Sequence, residues 1–185
     1  MSGLHADALR VLRDWHAPDP VEEELRRRYV THLESRPDGM WRASYPDHVT
    51  AGTLVVDASG EHVLLNLHRK AGRWFHFGGH AEEGDATLAA VALREAREES
   101  GLTELAFHPE PVQLDLHTVP FCGERGDVHH LDVRYVAAAP AGAEAVVSDE
   151  SLAVRWWPVA ALPDLEPEMH TLISRAREIL AQDAS

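Results

Sequence analysis

The chain has 185 residues, 44% of them apolar, which suits one globular domain with a substantial core plus an accessory segment and argues against a second full domain. Lys and Arg total 17 against 31 for Asp and Glu, a formal charge of −14. This is the opposite of the footprint of a nucleic-acid polymer binder, so an anionic substrate needs a local source of positive charge, which a bound cation supplies better than the global field. No apolar run approaches the roughly 18 residues of a membrane span, and the N-terminus lacks the hydrophobic core of a signal peptide, so the chain reads as cytoplasmic. Cys122 is the single cysteine, which excludes a disulfide within the chain and a cysteine-based zinc site.

Residues 4–35 carry apolar spacing at Leu9, Leu12 and Trp15, then Val21, Leu25 and Val30, broken by Pro18-Asp19-Pro20. Two N-terminal helices are expected there, followed by a turn at Arg36-Pro37-Asp38-Gly39 and a connection through Pro46. Val49–Val56 and His62–Leu67, separated by Asp57-Ala58-Ser59-Gly60, read as a hairpin. A short strand is expected at Trp74–Phe77, after which Gly78-Gly79 opens a polar loop. Ala86–Ser100 is helical in composition and stops at Gly101. Strands return at Val112–Val119, Leu131–Ala137 and Leu152–Trp157, and a last helix fits Glu168–Ala181. This order is mixed α/β without regular βαβ alternation. It divides into an N-terminal helical extension, 1–45, and a main domain, 46–185.

On a helix Glu95, Glu98 and Glu99 stand at i, i+3 and i+4, so three carboxylates project from one sector. Ala86, Ala89, Ala90 and Leu93 are expected to form the apolar face of the same helix, with Leu88 and Val91 adding apolar surface near the acids. A hard divalent cation with oxygen ligands, Mg²⁺ or Mn²⁺, is the least costly way to hold three carboxylates beside packed apolar surface. The alternative is a solvated acidic face neutralised by Arg94 and Arg97.

The loop before this helix bears on that choice. Gly79-His80-Ala81-Glu82-Glu83-Gly84-Asp85, eight further residues, then Arg94-Glu95-Ala96-Arg97-Glu98-Glu99-Ser100-Gly101-Leu102 resembles the box of the Nudix hydrolases. Charged residues and glycines are fixed over 24 positions. Three features depart from the family pattern: Asp85 replaces Glu, the spacer to Arg94 is one residue longer, and Ala96 is smaller than the usual aliphatic residue. The likeness extends more weakly from about His48 through Trp157 and leaves out the N-terminal helices.

The resemblance implies an α/β/α sandwich with a mixed sheet. It also implies metal-dependent hydrolysis of a diphosphate linkage in a nucleoside diphosphate derivative, a small molecule, with no nucleic-acid polymer or membrane as partner. Carried over by position, Glu95 and Glu99 are the leading metal ligands, Glu98 the third and the Gly79 carbonyl an additional one. Glu98 and Glu99 thereby serve the reaction. Arg94 pairs with acids to hold the loop against the helix, and Asp85 is expected to reach it. Gly78, Gly79 and Gly101 shape the loop and the helix stop.

Other signals have two readings each. Arg69, Lys70 and Arg73 meet substrate phosphates or form a solvated turn. Trp74, His76 and Phe77 present a ring to a base or pack in the core. His76 with Arg69 and Arg73 makes up the candidate substrate-binding set. His129-His130 has no third ligand in view to make a transition-metal site. Glu150 is a candidate general base, since the family often draws that group from a loop outside the box, or an ordinary turn residue. The N-terminal helices cover the sandwich or form a homodimer contact. Two other functions share the fold. A nucleotide-binding sensor usually loses box glutamates, whereas three remain here. Isopentenyl diphosphate isomerase uses a cysteine whose motif Phe121-Cys122-Gly123-Glu124 does not resemble.

Overall fold

A computed structural model describes residues 3–120, 122, 127–149 and 151–183. The elements run α1 (Gly3–Asp14), α2 (Pro20–Ser35), β1 (Asp47–Asp57), β2 (His62–His68), β3 (Trp74–Phe75), β4 (Phe77–His80), α3 (Leu88–Ser100), β5 (Ala106–Phe107), β6 (Gln113–Val119), β7 (Val128–Ala139), β8 (Ser151–Pro158) and α4 (Pro167–Asp183). Local chemistry sets the helix ends. Asp19 caps α2 by accepting the Val21 and Glu22 amides at 2.9 Å each, with Pro20 in the first turn, where its missing N–H costs nothing. Thr87 caps α3 through the Ala90 amide at 3.1 Å, and Gly101 ends it at φ 72°, a left-handed turn that glycine adopts without strain.

Among the described residues eight strands form one mixed, curled sheet around two long central strands. β1 and β7 pair in parallel from Asp47↔His129 to Asp57↔Ala139. The other edge of β1 is shared by β4 and β2, and β7 likewise holds β6 and β5; β8 continues the sheet beyond β2. β1 is buried almost throughout, as expected of a strand covered on both faces.

Its two faces feed separate cores. Val49 and Ala51 pack with Leu131, Val133 and Tyr135 of β7 beneath α1, α2 and α3. Leu54 and Val56 pack with Val136 against Met169, Leu172, Ile173 and Ala176 of α4. The result is helix, sheet, helix in layers. The N-terminal helices are integral to the first core: Leu4, Ala8, Leu9, Leu12, Tyr29 and Leu33 are all buried in it. Glu22 of α2 accepts the Leu114 amide at 2.9 Å and pairs with Arg175 of α4, joining three elements far apart in sequence. No helix among the described residues is long and apolar enough to cross a membrane.

Two local expectations fail. Gly78 and Gly79 are not in a loop but in β4, paired with Gly52 and Ala51 of β1. On α3 the buried positions are Leu88, Val91, Ala92, Ala96, Glu99 and Ser100, whereas Ala86 is exposed and Ala89, Ala90 and Leu93 are only partly covered. The inward stripe is therefore rotated toward the acids: Leu88, Val91 and Ala92 pack on the sheet, and Thr53 of β1 donates to the Ala92 carbonyl at 2.9 Å on that side of the helix.

Candidate active site

β4 stands between α3 on one face of the sheet and a polar surface on the other. Its register, Ala51↔Gly79 and Thr50↔His80, points successive residues to opposite faces. Gly79 lies against α3, where a Cβ would come within 2.7 Å of the Glu95 carboxylate; one on Gly78 would stand 2.7 Å from the Gly52 Cα. Both glycines are required by close approach rather than by a turn. The Gly78 amide donates to Glu99 Oε2 at 3.2 Å, which turns this buried carboxylate toward the strand.

Arg94 gathers the remaining acids. Its Nε and Nη2 donate to the two Asp85 oxygens at 3.2 and 3.1 Å. Nη1 reaches Glu95 Oε1 at 3.0 Å and Glu98 Oε2 at 2.9 Å, and Nη2 also donates to the His80 carbonyl at 2.8 Å. Burial opposes the guanidinium charge, yet the bonds to Asp85 and Glu98 and the charge of Glu95 outweigh it, and the pKa is raised. The shorter Asp85 does span the longer spacer. It also accepts the Glu82 amide at 2.8 Å, closing the loop on itself.

The donor set of Glu95, Glu98 and Glu99 is all oxygen, which suits a hard divalent ion, and the bare backbone at Gly79 leaves the Glu95 carboxylate pressed against the strand. Glu98 is exposed and Glu99 buried, so the three do not occupy one equivalent sector. Among the described residues no three of these carboxylates have ligand atoms mutually within 4.8 Å.

The other candidates are engaged elsewhere. Arg69 donates to the Asp149 and Ser151 carbonyls at 2.9 and 3.1 Å, tying down the segment before β8. Arg73 pairs with Glu166. His76 is buried beside Asp132, Nε2 to Oδ2 3.3 Å, and burial, its largest influence, pushes its pKa down despite that carboxylate. Trp74 packs edge-on against Trp157 with ring centroids 5.3 Å apart, the core-packing reading of this residue. Glu150 lies outside the described residues.

A second grouping was not visible in the sequence. On the sheet face opposite Glu95, His48 of β1 pairs in register with His130 of β7, and His80 of β4 is one rung away beside Thr50. Cys122 reaches the same point. Its Sγ is 3.1 Å from His130 Nε2, 3.3 Å from His80 Nε2 and 3.8 Å from His48 Nε2, and the last two nitrogens are 3.1 Å apart. The expectation that His130 has no further potential ligands nearby is corrected: strand pairing brings two histidines from 50 and 82 residues upstream beside it, and the Cys122 thiol joins them.

A NUDIX domain family model matches residues 46–180. The chain belongs to the Nudix family. This Nudix hydrolase is 32% identical over 123 residues to the oxidized purine nucleoside triphosphate hydrolase of Mus musculus, covering 63% of the chain and 72% of that relative. Among solved structures it resembles a C. elegans Ap4A hydrolase binary complex, with TM-score 0.57 and 19% identity over 72% of this chain and 98% of the other. It also resembles a NUDIX family hydrolase from Clostridium perfringens, with TM-score 0.54 and 22% identity over 73% and 97%. At such identities the structural likenesses speak to the fold alone.

Proposed function

We propose that the protein hydrolyses a diphosphate linkage in a small nucleoside diphosphate derivative, with Mg²⁺ or Mn²⁺ held by Glu95, Glu98, Glu99 and the Gly79 carbonyl. The observation that carries this reading is the arrangement of Arg94, whose contacts to Asp85, Glu95, Glu98 and the His80 carbonyl set the acids of α3 against the glycine strand. A cation bound there supplies charge neutralisation at phosphate oxygens and a bound water of lowered pKa, the main needs of phosphoryl substitution.

The chain's own residues do the positioning. Arg94 orients carboxylates and does not itself meet the substrate. The Gly78 amide fixes the rotamer of Glu99, and Gly79 admits the Glu95 carboxylate without a side chain between them. The substrate named for the Mus musculus relative, an oxidised purine nucleoside triphosphate, supports a nucleotide with two or more linked phosphates. Glu150 is the proposed source of the general base, and the 1–45 segment a helical extension of the catalytic domain.

The test is incubation of pure protein with Mg²⁺ or Mn²⁺ and a panel of oxidised dNTPs, dinucleoside polyphosphates, ADP-ribose and NADH. Cleavage at a diphosphate linkage, abolished by chelator, is the expected result. Tight binding of a panel member with no turnover under either metal would instead make this a nucleotide-binding module.

A further inference from the structure

We propose that His48, His80, Cys122 and His130 form a second metal site, a closed four-ligand zinc centre on the sheet face opposite the box glutamates.

The topology makes the site. Parallel pairing of β1 with β7 sets His48 and His130 side by side, and antiparallel pairing of β4 with β1 adds His80 on the same face. Cys122, from the connection between β6 and β7, closes the fourth corner. The four ligand atoms all lie within 4.8 Å of one another, and His48 and Cys122 are buried. Tetrahedral zinc, with Zn–N about 2.0–2.1 Å and Zn–S about 2.3 Å, requires ligand atoms about 3.3–3.6 Å apart. The closest contacts here, 3.1, 3.1, 3.3 and 3.8 Å, bracket that separation.

The protonation pattern agrees. His48 Nδ1 is 3.2 Å from the Ser44 carbonyl, which only accepts, so Nδ1 carries the hydrogen and Nε2 turns a bare lone pair into the cluster. Such a carbonyl partner is the usual means of fixing a ligating imidazole. Hydrogen bonds join atoms in pairs and do not require groups from three strands and a loop to close on one point. A tetrahedral ion does.

The donor set also separates the two sites. Three imidazoles and a thiolate select zinc or a related borderline metal, whereas carboxylates suit Mg²⁺ or Mn²⁺. Four protein ligands leave no open position, so the role is structural. His80 then serves twice: its imidazole enters the zinc site, and its carbonyl accepts from Arg94. Zinc would pin the start of the box loop from behind.

Metal analysis of protein expressed with added zinc should find about one zinc per chain that survives dialysis and is not displaced by excess Mg²⁺. The chelated, still-folded protein titrated with Co²⁺ should develop tetrahedral visible bands and a thiolate charge-transfer band. Cys122→Ser should lose the charge-transfer band, and His130→Ala should lose stoichiometric binding. Glu99→Gln should keep the cobalt spectrum, which separates this centre from the proposed catalytic ion. A folded parent, confirmed by circular dichroism, that takes up neither zinc nor cobalt overturns the proposal. So does a Cys122→Ser protein whose cobalt spectrum matches the parent's. Neither outcome bears on hydrolysis at the glutamate site.

Discussion

Arg94 and His80 meet end to side: the guanidinium Nη2 donates to the His80 carbonyl at 2.8 Å while the His80 imidazole Nε2 lies 3.1 Å from His48 Nε2 on the opposite face of the sheet. With Asp85 holding the other side of the same guanidinium, the loop from 80 to 85 is clamped at both ends by one arginine. Asp85→Ala should therefore loosen the loop without removing any proposed metal ligand. A bond from a charged group is worth about 1.5–3 kcal/mol, and Arg94 retains Glu95 and Glu98, so a stability loss of about 2 kcal/mol is expected. Turnover should fall about tenfold through mispositioned carboxylates. Asp85→Glu should restore most of both. Urea melts beside turnover measurements on the best substrate check this, and an Asp85→Ala enzyme with parental kinetics would remove Arg94 from the positioning role.

The N-terminal helices give a second expectation. Glu22 is a buried carboxylate that accepts the Leu114 amide and pairs with Arg175. Glu22→Ala leaves the Leu114 amide without its acceptor and Arg175 with Asp19 as its remaining ion-pair partner, so a lost charged hydrogen bond and an unsatisfied buried amide together cost about 3 kcal/mol. In a chain of this size that corresponds to a fall in Tm of about 6–12 °C. Removing residues 1–40 should do more, because it uncovers Leu131, Val133 and Tyr135; lower stability or self-association is expected. A truncated protein with parental oligomeric state and parental Tm would show the helices to be dispensable.

The sequence made the helix α3, its stop at Gly101, the β1–β2 hairpin and the acid-bearing box legible because each is carried by local spacing. What it hid was tertiary. Gly78-Gly79 reads as the opening of a loop until the pairing with β1 shows that close contact, with Gly52 at Gly78 and with Glu95 at Gly79, is what requires glycine. The inward face of α3 follows from its packing on β1 and β7, with Thr53 bonded to the Ala92 carbonyl, and no helical period reveals it. The histidine–cysteine cluster depends on β1 lying parallel to β7, and residues 82 positions apart carry no sequence mark of adjacency. His129-His130 stands out in the sequence as an adjacent pair, yet alternation along the strand sends His129 to Asp47 and His130 to the cluster.

Asp115 links the sheet's buried charges and gives a pH expectation. Its Oδ2 accepts from Arg134 Nη2 at 2.8 Å and stands 2.7 Å from His117 Nδ1. Burial raises its pKa, but the His117 bond and the Arg134 charge prevail, and the folded value lies below the ordinary one. The unfolded chain therefore binds this proton more readily. The contribution is fully present above the ordinary aspartate value near pH 4 and is lost as pH falls through the lower folded value. Asp115→Asn should cost about 2 kcal/mol at pH 7, since Arg134 still has Asp132. The gap between variant and parent should narrow below about pH 4. Denaturation curves from pH 7 to pH 3 test the sign; a gap that widens in acid would contradict it.

Glu99 provides the test that separates a metal site from an acidic helix face. It is buried at the inner edge of the acid group and accepts the Gly78 amide, a bond that glutamine's carbonyl oxygen can also accept, so Glu99→Gln keeps the local fold. Relative to Glu95 it is a like-charge neighbour at i+4, and neutralising it relieves a repulsion of a few tenths of a kcal/mol. Without metal the variant should thus be as stable as the parent or slightly more so. With saturating Mg²⁺ the parent should gain Tm by linkage and the variant much less. Turnover should fall about a hundredfold or more, because a lost ligand removes several kcal/mol of charge stabilisation from the transition state. A solvated acidic face predicts no Mg²⁺-dependent shift in either protein and equal hydrolysis. Melting curves with Mg²⁺ and with chelator, read beside phosphate release, decide between them. Near-parental turnover in Glu99→Gln would take the catalytic metal away from this helix, whatever occupies the histidine–cysteine cluster on the opposite face.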